Sequence, residues 1–500
     1  MTSPFHNSYL QMPEHFFHQV SPDALSDATL IHVNQPLLDE LALKLNHNTL
    51  KNMTSGQNFP AGMTPIAQKY TGHQFGYYNP SLGDGRGLLL GQVKDNKQGL
   101  WDLHLKGAGL TPYSRSGDGR AVLRSAIREY IIGEALHGLG IPTSRCLSIC
   151  HSSEPVRREL IEDRSSYIRI AKTHIRFGHF EWLSELGDVD DFKTLADYVI
   201  QSVYPELTPL SPSERYSALL NKIISRTAVL MACWQASGFC HGVMNTDNMS
   251  VAGETFDFGP YAFLDDCQLH YICNHSDTEG RYAYSQQPSI GLWNCQVLGQ
   301  AFSLILESEQ IDEAMNLYVT HYNQNYLEKM RSKLGLIEPQ PDDKYFIADT
   351  LLLLDQSELD FHYFFQLLIH ASTNQQEQLI NYLASSKTYS LESSSSEPNI
   401  SQAWADWLIR YRNRIELDNN ETERQVLIQN NTPKLVLRNY IAQEIIEAAE
   451  THNYQPLKQW MNWIQNPFEL AQDFDPELHN YYLSPPETTT DKNIILSCSS

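Results

Sequence analysis

The chain has 500 residues, more than one hydrophobic core usually serves, so two or three subdomains are expected. An apolar fraction of 41% with 11% aromatics excludes disorder along the whole length. With 36 Lys/Arg against 59 Asp/Glu the formal charge is −23, which argues against a nucleic-acid backbone as the main partner. The charge is uneven. Between Lys94 and Arg176 stand 14 Lys/Arg and 9 Asp/Glu, a basic island suited to a small anionic ligand. The opening MTSPFHNSYLQMPEHFF lacks a basic region followed by an apolar run, and no stretch reaches the roughly 18 apolar residues of a membrane span, so neither a secretory signal nor a membrane is expected. Eight cysteines without a C-x-x-C pair fit a reducing, cytoplasmic setting.

Residues 1–60 are mixed and are expected to wrap the next unit. Residues 61–180 read as a small β-rich unit. Within it Leu82-Gly83-Asp84-Gly85-Arg86-Gly87 precedes a strand from Leu88 to Val93, and alternate glycines let backbone N–H groups approach an anion. A second strand, Trp101 to Lys106, alternates apolar and polar residues and ends on Lys106, a point charge able to meet phosphate. A helix is expected from Arg120 to about Leu139, with Asp118 as N-cap and Asp118-Gly119 offering free N–H groups. On it Arg120, Arg124 and Arg128 make a cationic stripe, and Glu129, next to the apolar face, needs a cation such as Lys106. Short strands are expected near Ile149 and Ile168. Arg169 and Arg176 could clamp a phosphate bidentately.

Residues 181–384 read as mainly helical, with the longest helix from about Glu214 to Ala236. It delivers the chain into His241 to Asn248, and nine residues later comes Asp257-Phe258-Gly259. Asn248 and Asp257 supply oxygen ligands of the kind that Mg²⁺ or Mn²⁺ accepts. Gly-rich loop, strand Lys, helix Glu, loop Asn and DFG Asp follow the order of a protein kinase, which predicts an α+β, protein-kinase-like two-lobed fold with added N- and C-terminal helical elements. One part is missing: where a kinase places its catalytic Asp, two residues after His241, stands Val243. Asp247 is the nearest carboxylate able to act as base. Residues 385–401 are Ser-rich and read as a linker, and 402–500 as a last helical region with a tail.

The runs Gly72 to Gly76, Leu82 to Arg86, His104 to Gly107, Pro112 to Arg115, Gly117 to Ser125, His174 to Phe177, Asn245 to Asn248 and Cys273 to Asp277 closely resemble the selenoprotein O (SelO/YdiU) family of pseudokinases. The likeness is densest from about 65 to 300, returns at Pro433 to Tyr440, and ends at Cys498, the selenocysteine position of some eukaryotic members. It implies protein adenylylation, with ATP bound inverted and AMP passed to a Ser, Thr or Tyr hydroxyl of a protein. Carried over, Gly83, Gly85, Arg86, Asp118 and Gly119 contact ATP. Lys106 holds phosphate and pairs with Glu129, while Arg169 and Arg176 grip the γ-phosphate. Asp247 is the general base, and Asn248 and Asp257 hold the metal. Gly87 stands where Ala is frequent, and Phe258 where Tyr is. Uridylylation with UTP and Mn²⁺, a nucleotide-binding scaffold without catalysis, and an ordinary kinase remain alternatives. Cys273 and the tail residue Cys498 suggest a regulatory disulfide.

Overall fold

The computed structural model describes residues 3–372, 376–385, 400–474 and Leu496. It is an α+β structure built on one antiparallel sheet. The strands in chain order are β1 (Phe17–Gln19), β2 (Thr29–Val33), β3 (Ile66–Gln68), β4 (Gly72–Gln74), β5 (Tyr77–Asn79), β6 (Gly87–Lys94), β7 (Leu100–Lys106), β8 (Ala121–Val122), β9 (Arg145–Arg157) and β10 (Ile161–Ala171). Their order across the sheet is β1-β3-β6-β7-β10-β9-β2, with β8 added to β10 and β4-β5 a separate hairpin. The N-terminal residues therefore do more than wrap: they supply both edges, β1 and β2.

Both faces of the sheet are covered, which explains why β6 reads as a continuous apolar run. Leu88, Leu90 and Val93 pack with Leu37 and Leu38 of α1 (Gln35–Glu40) and Leu50 and Met53 of α2 (His47–Thr54). Leu89 faces the other way, into the core shared with Ile127, Tyr130 and Ile131 of α3 (Leu123–Gly138). In β7 the expected alternation holds, with Leu103 and Leu105 on the apolar side. The polar side is not solvated: Asp102, His104 and Lys106 are all buried.

Two local expectations change. The strands at Ile149 and Ile168 belong to long ones, of 13 and 11 residues. The helix expected from Arg120 begins at Leu123, because Ala121 and Val122 pair with Ser165 and Arg164 of β10 before the helix starts. Asp118 does not cap α3; its carboxylate accepts from Arg120 N at 2.9 Å in a tight turn instead.

Helices α4 (Phe177–Leu186) and α5 (Val189–Val203) follow the sheet. The long α6 (Pro212–Ala236) opens on a capping box between Ser211 and Glu214, with Pro212 at its first position. It leads into Phe239–Cys240, which pair with Ala262–Phe263. That short ladder holds the segments 241–248 and 257–260 side by side. Then come α7 (Gln287–Phe302), α8 (Ser308–Leu334), α9 (Asp343–Ser357), α10 (Phe361–Leu367), α11 (Gln376–Ala384), α12 (Ile400–Glu416), α13 (Glu421–Asn431), α14 (Asn439–Glu450) and α15 (Gln455–Trp463). The last two return to α3, where Tyr440, Ile441, Ile445, Leu457 and Trp460 join the main core. The Ser-rich stretch lies largely outside the described residues, and so does most of the tail. No helix among the described residues is long and apolar enough to cross a membrane.

Candidate active site

A cleft of about 800 Å³ opens between the loop before β6, the 113–120 loop, and the segments 243–248 and 257–260. Seven Lys/Arg line it (Lys106, Arg86, Arg115, Arg120, Arg157, Arg158 and Arg176) against four Asp (Asp84, Asp118, Asp247 and Asp257). In a chain of net charge −23 that is a marked local reversal of sign, suited to a polyphosphate.

The glycine loop lines this cleft, and its glycines are needed for a reason the sequence did not show. Gly83 has φ +144°, and a Cβ there would stand 2.4 Å from the ring of Tyr113. Tyr113 thus packs flat on the loop, and its hydroxyl is 2.9 Å from His18 Nδ1. Gly85 and Arg86 line the cleft, and Arg86 is exposed. Gly87 faces His104, whose Cε1 would be 2.2 Å from a Cβ; the small residue makes room for a His104–His174 stack 4.5 Å apart. Asp118 and Gly119 sit on the rim. Asp118 is gripped by Arg158 at 2.8 and 3.0 Å, and these hydrogen bonds above all hold its carboxyl below the usual range. Gly119 has φ +69° and passes so close to Gly109 O that no side chain fits.

The centre of the site is Asp257, itself in the left-handed region at φ +59°. Its Oδ1 accepts from Lys106 Nζ at 2.9 Å and from an Arg169 terminal nitrogen at 2.6 Å, and its Oδ2 from Arg176. Burial opposes the charge of Asp257, but the three cations outweigh burial and hold the carboxyl well below the usual range. Lys106 and Glu129 make no direct ion pair among the described residues, yet they stay coupled: burial opposes the Glu129 charge, and Lys106 first, then Arg169, hold its carboxyl below the usual range. Glu129 is buried in α3, bonded to Tyr167 Oη at 2.6 Å and Arg169 at 3.1 Å. The longer, forked Arg169 bridges Glu129 to Asp257, while Lys106 makes its direct bond to Asp257.

Arg169 and Arg176 differ in position. Arg176 borders the cleft, stacks over Tyr70 and Phe256, and keeps its Nε without a partner among the described residues. Arg169 is fully buried and does not line the cleft, but one terminal nitrogen likewise lacks a partner. The stripe Arg120, Arg124 and Arg128 is dispersed: Arg120 reaches Asp23 and Arg124 reaches Glu162, each at 3.1 Å, while Arg128 is buried against Tyr261 O and Asn439.

Asp247 sits on a single helical turn, Thr246–Asn248, and is 7% exposed. Its Oδ2 accepts from Gln74 Nε2 at 3.1 Å; its Oδ1 has no partner among the described residues. Burial, the largest effect, pushes its carboxyl up to about 6, with Arg176 and Gln74 pulling the other way. Next to it, Asn248 donates its Nδ2 to Val243 O at 3.2 Å, which leaves Oδ1 as an acceptor on the cleft. The side-chain oxygens of Asn248 and Asp257 are donors of the kind that hard divalent cations take.

Gln74 was missed from sequence as a site residue. It belongs to the β4-β5 hairpin, which docks on the catalytic turn: His73 N donates to Thr246 Oγ1 at 2.7 Å, and Phe75 N to Asn245 Oδ1 at 3.1 Å. Arg158 was missed likewise, since nothing local marks it, and His174 was read only as part of a motif run, with no role of its own. The expected disulfide is not supported. Cys273 is a free, buried thiol whose nearest described sulfur, on Cys240, is 3.4 Å away, and Cys498 lies outside the described residues.

The family model described as "Protein adenylyltransferase SelO" matches residues 1–465. The chain is 50% identical to the "Protein nucleotidyltransferase YdiU" of Hydrogenovibrio crunogenus, over 99% of each chain. Proteins of the same name from Aliivibrio fischeri and Myxococcus xanthus are 42% identical (over 98% of each chain) and 41% identical (over 99% of this chain and 98% of the other). The cationic cleft, with Asp247 Oδ1 unpartnered among the described residues, is therefore found in an enzyme of the protein-nucleotidyltransferase class. More narrowly, the chain belongs to the SelO/YdiU family.

Proposed function

We propose that the enzyme transfers AMP from ATP to a Ser, Thr or Tyr hydroxyl of a protein, with release of pyrophosphate. The observation that carries this reading is Asp247: a carboxylate with one free oxygen, raised to about 6, at the edge of a cleft lined by seven cations. A general base works best when its pKa lies near the working pH, and Asp247 meets that condition where Val243 offers nothing. In this reading residues 61–180 and 181–384 act as the two lobes of a kinase-like fold, with 1–60 and 402–500 as additions and 385–401 as a linker. A cytoplasmic setting belongs to the proposal, supported by seven free, buried cysteines.

Asn248 and Asp257 would hold the divalent metal, Mg²⁺ or Mn²⁺, which when bound neutralises phosphate charge. Lys106 and Arg176, now turned on Asp257, have phosphate oxygens as alternative partners, and Arg169, anchored on Glu129, holds Asp257 directly from behind. Gly83, Gly85, Arg86, Asp118 and Gly119 border the nucleotide. Asp247 Oδ1 accepts the hydroxyl proton. The hydroxyl oxygen bonds to the α-phosphorus, and the bond from that phosphorus to the bridging oxygen breaks toward pyrophosphate.

The test uses ATP labelled at the α- or the γ-phosphorus. Label reaching an acceptor protein from the α-position alone is expected. Label from the γ-position would overturn adenylyl transfer in favour of phosphotransfer, and transfer from α-labelled UTP at higher efficiency would replace AMP by UMP.

A further inference from the structure

Outside the cleft, three segments bring together two imidazoles and a carboxylate. His151 stands in β9, Asp163 in β10, and His452 just past the end of α14. One ligand atom from each lies within 4.8 Å of the others, and among the described residues they form the one His/Cys/Asp/Glu trio that converges in this way. We propose that His151, Asp163 and His452 bind a borderline transition-metal ion of the Zn²⁺ class, which fastens the C-terminal helices to the sheet. The site shares no residue with the cleft, and the proposal does not rest on the nucleotidyl-transfer reading.

The chemistry of the donor set points to the metal. Two imidazole nitrogens and one carboxylate oxygen suit Zn²⁺, Co²⁺ or Ni²⁺ and suit Mg²⁺ poorly. Around Zn²⁺ such donors stand about 3.3 Å apart, given bonds of about 2.0–2.2 Å. His151 Nε2 is already 2.7 Å from Asp163 Oδ2, and the His151 and His452 rings are 5.0 Å apart between centroids, so modest side-chain rotation closes the set. His151 is buried, fixed on the sheet, whereas His452 is exposed, which leaves an entry path and a coordination position for water. Metal binding would displace the proton of the His151–Asp163 bond to solvent.

Two further observations favour a cation here. His452 N bonds Ala449 O and Asn453 N bonds Ala448 O, both at 2.9 Å, so α14 ends in a motif whose left-handed position usually takes glycine. Here that position, at φ +61°, is held by His452, and it places the imidazole at the negative end of the helix dipole. The flanking chain is also acidic: Glu162 precedes Asp163 in β10, and Glu447 and Glu450 lie in the last part of α14, with Arg124 paired to Glu162.

The experiment titrates Co²⁺ and Zn²⁺ into tag-free full-length protein, reading visible Co²⁺ absorption, bound metal after dialysis, and Tm. One equivalent with a histidine-ligated spectrum and a Zn²⁺-dependent rise in Tm are expected. His452→Ala and Asp163→Asn should each weaken binding by at least about tenfold, His452→Ala with unchanged ATP affinity. Asp257→Ala should keep the same Co²⁺ spectrum, which separates this site from the cleft. Absence of retained metal, or a spectrum and stoichiometry identical in wild type and His452→Ala, would overturn the proposal.

Discussion

Asp247 and Asp257 are ten residues apart and are driven in opposite directions by their surroundings. Asp257 faces three cations and stays ionised; Asp247 is desolvated, with Arg176 and one amide as compensation. The active form of a base is the ionised one, so catalysis should fall as pH drops through about 6 and level off above it. A pH profile of kcat checks this; a profile flat between pH 5 and 7 would contradict it. Replacing Lys106 by Ala leaves Asp257 with two cations and removes a phosphate partner, so KM for ATP should rise and kcat fall together. Steady-state kinetics with ATP as the varied substrate checks this. Lys106, Asn248 and Asp257 were legible in sequence as residue types in a known order. Their present pairing was not, because five charges, Lys106, Glu129, Arg169, Arg176 and Asp257, share one buried cluster. Which cation reaches which carboxylate there depends on side-chain length and depth, and neither leaves a trace in spacing.

At the scale of elements, the β4-β5 hairpin sets the catalytic turn. Gln74 donates to the charged form of Asp247, so Gln74→Ala should raise the midpoint of the pH profile as well as lower kcat. A purely structural effect would lower kcat without moving the midpoint, so the two are separable in one titration. The glycine loop offers a second case. Gly87→Ala forces a Cβ against the His104 ring and breaks its stack on His174, which should cost about 1–3 kcal/mol by chemical denaturation. Here the sequence was informative about position and silent about cause. The loop and the strand after it were visible in the Gly spacing and the Leu run, but the side chains that crowd Gly83 and Gly87, Tyr113 and His104, lie 30 and 17 residues further along the chain. The start of α3 was misread for a related reason: Asp118-Gly119 looks like a cap, yet sheet pairing of Ala121 and Val122 overrides it.

At the scale of the whole molecule, the last two helices, α14 and α15, belong to the same core as the sheet, whereas α12 and α13 pack in a second apolar cluster. Ile445 and Ile446 of α14 are buried with Ile127 and Ile131 of α3, and Arg128 ties α3 to Asn439. Ile445→Ala should therefore destabilise the whole enzyme by about 2–4 kcal/mol, lowering Tm with little change in KM for ATP. A normal Tm would contradict that packing. The sequence showed a helical region here but not where it docks, since amphipathic periodicity marks an apolar face without naming its partner.

The central claim is that Asp247 takes the proton from a protein hydroxyl during nucleotidyl transfer. Intact-mass spectrometry of an acceptor protein, after incubation with enzyme, ATP and Mg²⁺ or Mn²⁺, tests it most directly when wild type is run beside Asp247→Asn. An AMP-sized increase that drops by about 10²–10⁴ in rate in the variant, with ATP binding retained, is the result predicted. An adduct of phosphate mass, or an AMP adduct formed equally fast by Asp247→Asn, would contradict it.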